Sequence, residues 1–283
     1  MIPYYFISLN YVIIIKKSCR RTQLDLETKE RIKNRIREKT DGILARRIRE
    51  FDEDMTELLV RNPFGARLVP EEIWKGSKFE RSFVTSFGQG VYEQIAYEIA
   101  IGSGATAQNQ HLENVTINTW QEEAINNLLD DQRRNRGNIP NWETEIESVR
   151  NLKTRSTIDV TILFDLYIKR TDGTEEYYSI KTVKPNLDQT EIAKRDMLRT
   201  MTAKPDSLAF FALPYNPSGE SKLYSWSVPK KIFDMNNSSA VLIGSDFWNQ
   251  VGNDPNTYLE LLQIFDELGD EYQTKIRNDY LNL

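Results

Sequence analysis

Apolar residues recur at helical spacing from Leu24 to Leu59, at Leu24, Ile32 and Ile36 and again at Ile48, Phe51, Met55 and Leu59. This predicts two helices, separated where Asp41-Gly42 interrupts the run. Their remaining faces are dense with Arg and Lys. Mixed charge of this kind usually marks a solvated face; the sharper reading is a dimerisation or phosphate-contacting arm. Asn62-Pro63-Phe64-Gly65 reads as a turn. Ser82 to Ile101 then sets Phe83, Phe87, Val91, Ile95 and Ile99 on one helical face. Val115 and Ile117 predict a short strand, and Trp120 to Leu129 and Trp142 to Leu152 predict helices.

The pattern changes period between Ile158 and Val183. Ile158 to Phe164 is rich in β-branched and aromatic residues and reads as a strand. Asp172-Gly173 is a hairpin signal, and the partner strand runs from Glu175 to Lys181. Pro185-Asn186 ends it, and Asp188 is the expected N-cap of a helix reaching Ala203. Apolar strands follow at Leu208 to Leu213 and Val241 to Ile243, and an amphipathic helix begins near Thr257. An antiparallel pair feeding a crossover to a neighbouring strand predicts an α/β (α+β) fold, a mixed sheet flanked by helices. Residues 1–80 are expected to form an N-terminal helical region and 81–283 the core with its C-terminal helix.

Composition narrows the chemistry. The 283 residues are 39% hydrophobic and 28% charged, with a net charge of −5, which describes a globular chain and not a basic coat for nucleic acid. A grip on DNA in one local cleft remains open. The apolar run Met1 to Ile15 lacks a basic leader and a small-residue cleavage site, and it is too short to span a bilayer. It reads as a buried strand or helix, or as an artefact of an upstream start codon. A single cysteine, Cys19, excludes an internal disulfide, and the expected location is cytoplasmic. The single histidine, His111, narrows the field: a Ser-His-Asp triad needs a histidine base and has only this one to draw on, and neither an ordinary zinc site nor a paired-histidine nuclease can be built. Hydrolytic chemistry would have to use carboxylates and lysine with a hard cation such as magnesium.

Such chemistry needs a carboxylate to hold the metal, more oxygen ligands, and a cation near the attacking water. Asp159 opens the first strand of the hairpin and Lys181 lies near the end of the second, so closure at Asp172-Gly173 is expected to bring them together. Asp165 shares the face of Asp159 by strand parity and is the reserve carboxylate. Taken singly, Asp159 reads as a strand-end cap and Lys181 as a surface lysine; together they are moderately specific.

Arg155 to Thr161, Tyr178 to Asn186, Asp188-Gln189 and Ala193 to Arg195 together resemble the core of type II restriction endonucleases of the PD-(D/E)xK superfamily, TdeIII-like. Arg81 to Glu93 resembles the helix that precedes the catalytic hairpin in such enzymes. The resemblance implies magnesium-dependent cleavage of double-stranded DNA at a short palindromic site such as GGNCC, with 5′-phosphate ends. It implies metal binding by Asp159 and the Ile180 carbonyl, and orientation of the water by Lys181. The chain departs from the pattern at Ile158, which replaces proline, and at Ser179, which replaces the acid two before the lysine. Glu191 is the candidate for a carboxylate that has migrated to the following helix, and Glu93 could supply another.

The loop of Arg133, Arg134, Asn135, Arg136 and Asn138 carries the forked side chains that read base edges, though polar loops are often only solvated. Lys184, Lys194 and Arg195 are expected phosphate contacts. A palindromic site would imply a homodimer. Two other readings stand beside this one: a structure-specific or repair nuclease, and a DNA-binding module whose nuclease core has decayed, which Ser179 keeps alive.

Overall fold

The computed structural model describes residues 24–50, 57–136 and 139–283. Met1 to Ile15, Cys19, Phe51, Met55 and Asn138 lie outside the described residues.

Helix α1 (Leu26–Arg49) starts at Asp25, whose carboxylate accepts the Thr28 N–H at 2.7 Å. It runs unbroken through Asp41-Gly42, where the sequence predicted a break. One glycine costs a helix about 1 kcal/mol. The buried stripe continues past it at Ile43 and Leu44, each contributing roughly 1.5–3 kcal/mol by burial, so packing outweighs the local preference. The expected helix over Ser82 to Ile101 divides: α2 (Glu71–Ser86) passes through a π-helical turn at Phe87–Val91 into α3 (Tyr92–Gly102).

Strand β1 (Thr106–Asn118) follows, then α4 (Thr119–Arg133), α5 (Trp142–Arg150), β2 (Thr157–Lys169), β3 (Glu175–Ile180), α6 (Leu187–Ala203), β4 (Leu208–Leu213), β5 (Val241–Ile243), α7 (Ser245–Gly252) and α8 (Thr257–Lys275). β1 is far longer than the short strand predicted around Val115 and Ile117. It pairs with β2 from Thr106↔Lys169 to Asn118↔Thr157, so ladder hydrogen bonds carry a stretch too polar to look like a strand. Helix α6 is capped by Asn186, which accepts the Gln189 N–H at 2.8 Å, and not by the predicted Asp188, which already lies inside the helix.

The sheet has the order β1-β2-β3-β4-β5, with β1, β2 and β3 antiparallel and β4 and β5 parallel to β3. It is the mixed, helix-flanked sheet expected of a restriction-endonuclease-like fold. Leu166, Ile168, Tyr178 and Ile180 on one face join Ile32, Ile36, Ile95, Ile99, Phe247 and Leu261 from α1, α3, α7 and α8. Phe164, Tyr177 and Phe211 on the other face join Ile125, Ile146, Met197 and Leu198 from α4, α5 and α6. β3 is the middle strand, and five of its six residues are buried.

Candidate active site

Pairing of β2 with β3 runs from Lys169↔Glu175 to Leu166↔Tyr178. At the next position the Asp165 carboxylate enters between the strands. Its Oδ2 accepts the Ile180 backbone N–H at 2.7 Å and the Lys181 ammonium at 2.7 Å. Side-chain alternation slips at the same point: Ile162 and Phe164 belong to one core, Leu166 and Ile168 to the other. The β1–β2 register is the same on both sides, Asn109↔Leu166 and His111↔Phe164, so no residue is inserted; the strand is locally kinked, which re-aims its side chains at a local loss of pairing. The Lys181 N–H bonds the Ala212 carbonyl at 2.9 Å, so β4 fixes the start of the lysine side chain.

Glu93, in the first turn of α3, lies within electrostatic reach of this pair. The π-helical turn before it comes close to the end of β3: a Cβ on Gly88 would sit 3.1 Å from the Thr182 methyl. Burial pushes the Glu93 carboxyl above its usual value and the Asp165 charge pushes it further, against the Gln110 hydrogen bond and the Lys181 charge. That hydrogen bond runs from Gln110 Nε2 to Glu93 Oε2 at 2.9 Å. The cluster thus sets two carboxylates against a single ammonium.

Asp159 is not part of this cluster, contrary to expectation. It lies six residues before Asp165 on β2, about 20 Å along a strand at ~3.3 Å per residue. It is exposed and accepts the hydroxyl of its cross-strand partner Thr116 at 2.6 Å. The Glu191 carboxylate is also engaged elsewhere, by Arg133 at 2.8 Å and Arg195 at 2.6 Å. These two guanidinium groups overcome burial and hold its carboxyl below the usual value. The α6 carboxylate that does feel Lys181 is Asp196, one that the sequence reading missed. Burial raises its carboxyl, against Arg199, Arg195 and Lys181. Gln110 was missed as well; no local sequence pattern marks it.

Of the expected DNA contacts, Lys194 is 1% exposed, its ammonium bonded to the Ile232 carbonyl and paired with Glu145. It is an internal structural ion, since α6 turns this position inward toward α5. Arg133 bridges Asp188 and Glu191, Arg134 pairs with Asp130, and Arg195 adds a bond to Asn126. Asn135 takes a left-handed turn at φ 54°, and Arg136 is exposed. Lys184 is exposed and lies over the Trp226 ring at 5.7 Å. His111 stacks on Tyr167 at 4.3 Å and contacts Gln108 and Glu113.

Known proteins resemble this chain over most of its length. It is 35% identical over 214 residues to the type II restriction enzyme HgiEI of Herpetosiphon aurantiacus, covering 73% of this chain and 77% of that one. It is 31% identical over 259 residues to HgiCII of the same organism, covering 86% and 93%. A more distant relative is the type II restriction enzyme MjaII of Methanocaldococcus jannaschii, 24% identical over 225 residues, covering 73% of this chain and 58% of that one. With a mixed sheet and an acid–amine pair at the end of its middle strand, the molecule is a type II restriction endonuclease, a site-specific deoxyribonuclease acting on double-stranded DNA. More narrowly, the chain belongs to the HinfI family, "Type II restriction endonuclease, HinfI", which matches residues 28–269. The narrower likeness to TdeIII finds no support in that match.

Type II restriction endonucleases generally need a divalent metal ion. Among the described residues no group of three or more His, Cys, Asp or Glu side chains could hold a metal. The donors at hand are the Glu93 and Asp165 carboxylates and backbone carbonyls, all hard oxygens, which suit magnesium better than zinc. The repulsion that the Asp165 charge exerts on Glu93 is of the sign that an added cation would relieve. Among the described residues no helix is long and apolar enough to cross a membrane.

Proposed function

We propose that the chain is a PD-(D/E)xK-type, magnesium-dependent homodimeric endonuclease in which Asp165, Glu93 and Lys181 form the catalytic group. The observation that carries this reading is the 2.7 Å contact between Lys181 and Asp165 where the β2–β3 pairing ends, with the Glu93 carboxylate within electrostatic reach of both. Asp165, Glu93 and the Ile180 carbonyl would hold magnesium, which would polarise the scissile phosphate and acidify a water. Lys181 would orient that water for in-line attack and offset charge on the phosphate. Ser179 is buried and brings no charge, so Glu93 supplies the second acid from the helix.

The DNA-facing groups in this reading are Arg136 and Lys184, with Arg133, Arg134, Asn135 and Arg195 at the margin. Two copies related by two-fold symmetry would read a short palindrome and leave 5′-phosphate ends. GGNCC is the first site to test, on the strength of the sequence resemblance alone.

The test is incubation of the purified chain with phage DNA and magnesium, with chelator as control, beside Asp165→Ala, Lys181→Ala and Asp159→Ala. Discrete bands that need magnesium, vanish in the first two variants and persist in the third are expected. Cutting confined to branched or damaged DNA, or bands that survive Asp165→Ala, would overturn the assignment. End-labelling after phosphatase treatment reads the position of the phosphate.

A further inference from the structure

Gln110 stands out in the backbone. It lies inside β1 yet has φ +51°, the left-handed region that non-glycine residues seldom occupy. The β1–β2 register passes from Asn109↔Leu166 to His111↔Phe164, and no pair is formed between Gln110 and Asp165. The distortion therefore sits directly across from the carboxylate that contacts Lys181. Holding an ordinary residue in this conformation costs on the order of 1–3 kcal/mol. Glycine would remove that cost, so backbone geometry alone does not explain a glutamine. Its side chain does something glycine cannot: it donates to Glu93 Oε2 at 2.9 Å.

We propose that Gln110 is a positioning residue that holds the Glu93 carboxylate toward Asp165, and that the left-handed kink in β1 exists to deliver its amide there. The inference rests on the reading of Glu93 and Asp165 as metal carboxylates. An amide is suited to the task because it adds a donor without adding charge. A lysine there would compete with the metal for Glu93, and a carboxylate would repel it. The mechanism has the form of an outer hydrogen bond fixing a metal-binding carboxylate, an arrangement whose loss typically weakens metal affinity or activity 10–100-fold.

The test uses full-length Gln110→Gly and Gln110→Ala, with Asp165→Ala as the control on the site. Terbium luminescence sensitised by the protein's aromatic residues reads metal affinity without catalysis. Cleavage against magnesium concentration and the melting temperature are measured alongside. Both Gln110 variants are expected to bind terbium at least about 10-fold more weakly and to need correspondingly more magnesium for half-maximal cleavage. Gln110→Gly should melt at or above the wild-type temperature and Gln110→Ala below it, so that metal affinity follows the amide and stability follows φ. Wild-type metal affinity in Gln110→Gly overturns the inference, as does failure of that variant to fold, since glycine is at ease in this conformation. If Asp165→Ala binds terbium as the wild type does, the metal site itself is wrong; if only Asp165→Ala loses it, the site stands and the role of Gln110 falls.

Discussion

The Lys181 ammonium meets the Asp165 carboxylate at 2.7 Å, and the same carboxylate oxygen takes the backbone N–H of Ile180. The two strands thus stop bonding to each other where an acid and an amine begin to do so. This relationship ranks the carboxylates of β2. Asp165→Ala and Lys181→Ala should each lower the cleavage rate at saturating magnesium by about a thousand-fold or more, since such groups act as a unit. Asp159→Ala should stay within a few-fold of wild type. Single-turnover cleavage of a labelled duplex measures all three.

Glu93 gives a pH prediction. Its carboxyl is raised in the folded protein, chiefly by burial and then by Asp165. The folded state therefore holds this proton more tightly than the unfolded chain, and the charged form costs stability above the folded value. That cost is relieved as pH falls through the folded value and is absent below the unfolded one. Without metal, Glu93→Gln should melt above wild type at pH 8, and the advantage should vanish near pH 4. Magnesium should raise the melting temperature of wild type and leave the variant unmoved. Scanning calorimetry at both pH values, with and without magnesium, tests this.

Lys194 should behave as an internal strut. Its ammonium is paired with Glu145 and also bonds Gln132 and the Ile232 carbonyl. Burial lowers the pKa of its ammonium, and Glu145 offsets this only in part. Lys194→Ala strands Glu145 and should cost about 3–5 kcal/mol of folding stability. DNA affinity of the folded protein should not change. Urea unfolding and a binding titration separate the two effects.

Lys184 and Arg136 should act on binding and not on folding. Each reaches solvent, and neither removes an internal ion pair from the core. Alanine at either position should weaken binding of all duplexes about equally. It should also reduce the slope of log affinity against log salt by about 1, as loss of one phosphate contact does. Arg133→Ala should behave differently, because it frees Asp188, leaves Glu191 to Arg195 alone and makes the local charge more negative. Affinity titrations with calcium in place of magnesium, at several salt concentrations, resolve these cases.

Much of the architecture was readable in the chain. The Asp172-Gly173 turn and the β-branched run after Ile158 announce the hairpin, and the helix after Asn186 and the strand at Leu208 announce the crossover. The pairing of Lys181 was legible too, though it was not read. Counting equal steps from the hairpin turn sets Lys181 opposite Leu163, two positions from Asp165 and four from Asp159. Parity makes the two acids look alike; register separates them. The unformed pair at Asp165 and the kink at Gln110 could not be read, because both arise from long-range pairing of β1 with β2. Lys194 was misread since a lone charge in a polar helix looks exposed until the partner helix carrying Glu145 is in place.

The kink at Gln110 has a second effect, on the outside of the molecule. Among the described residues β1 is bonded on one side only, by β2, so thirteen residues of strand leave a row of amide groups along the rim of the sheet. A straight rim of that length invites a stranger's strand to dock and build upward into an aggregate. Turning Gln110 left-handed divides the rim into Thr106–Asn109 and His111–Asn118, so one flat strand cannot follow its whole length. A rim interrupted in this way offers an incoming strand less continuous edge to pair with.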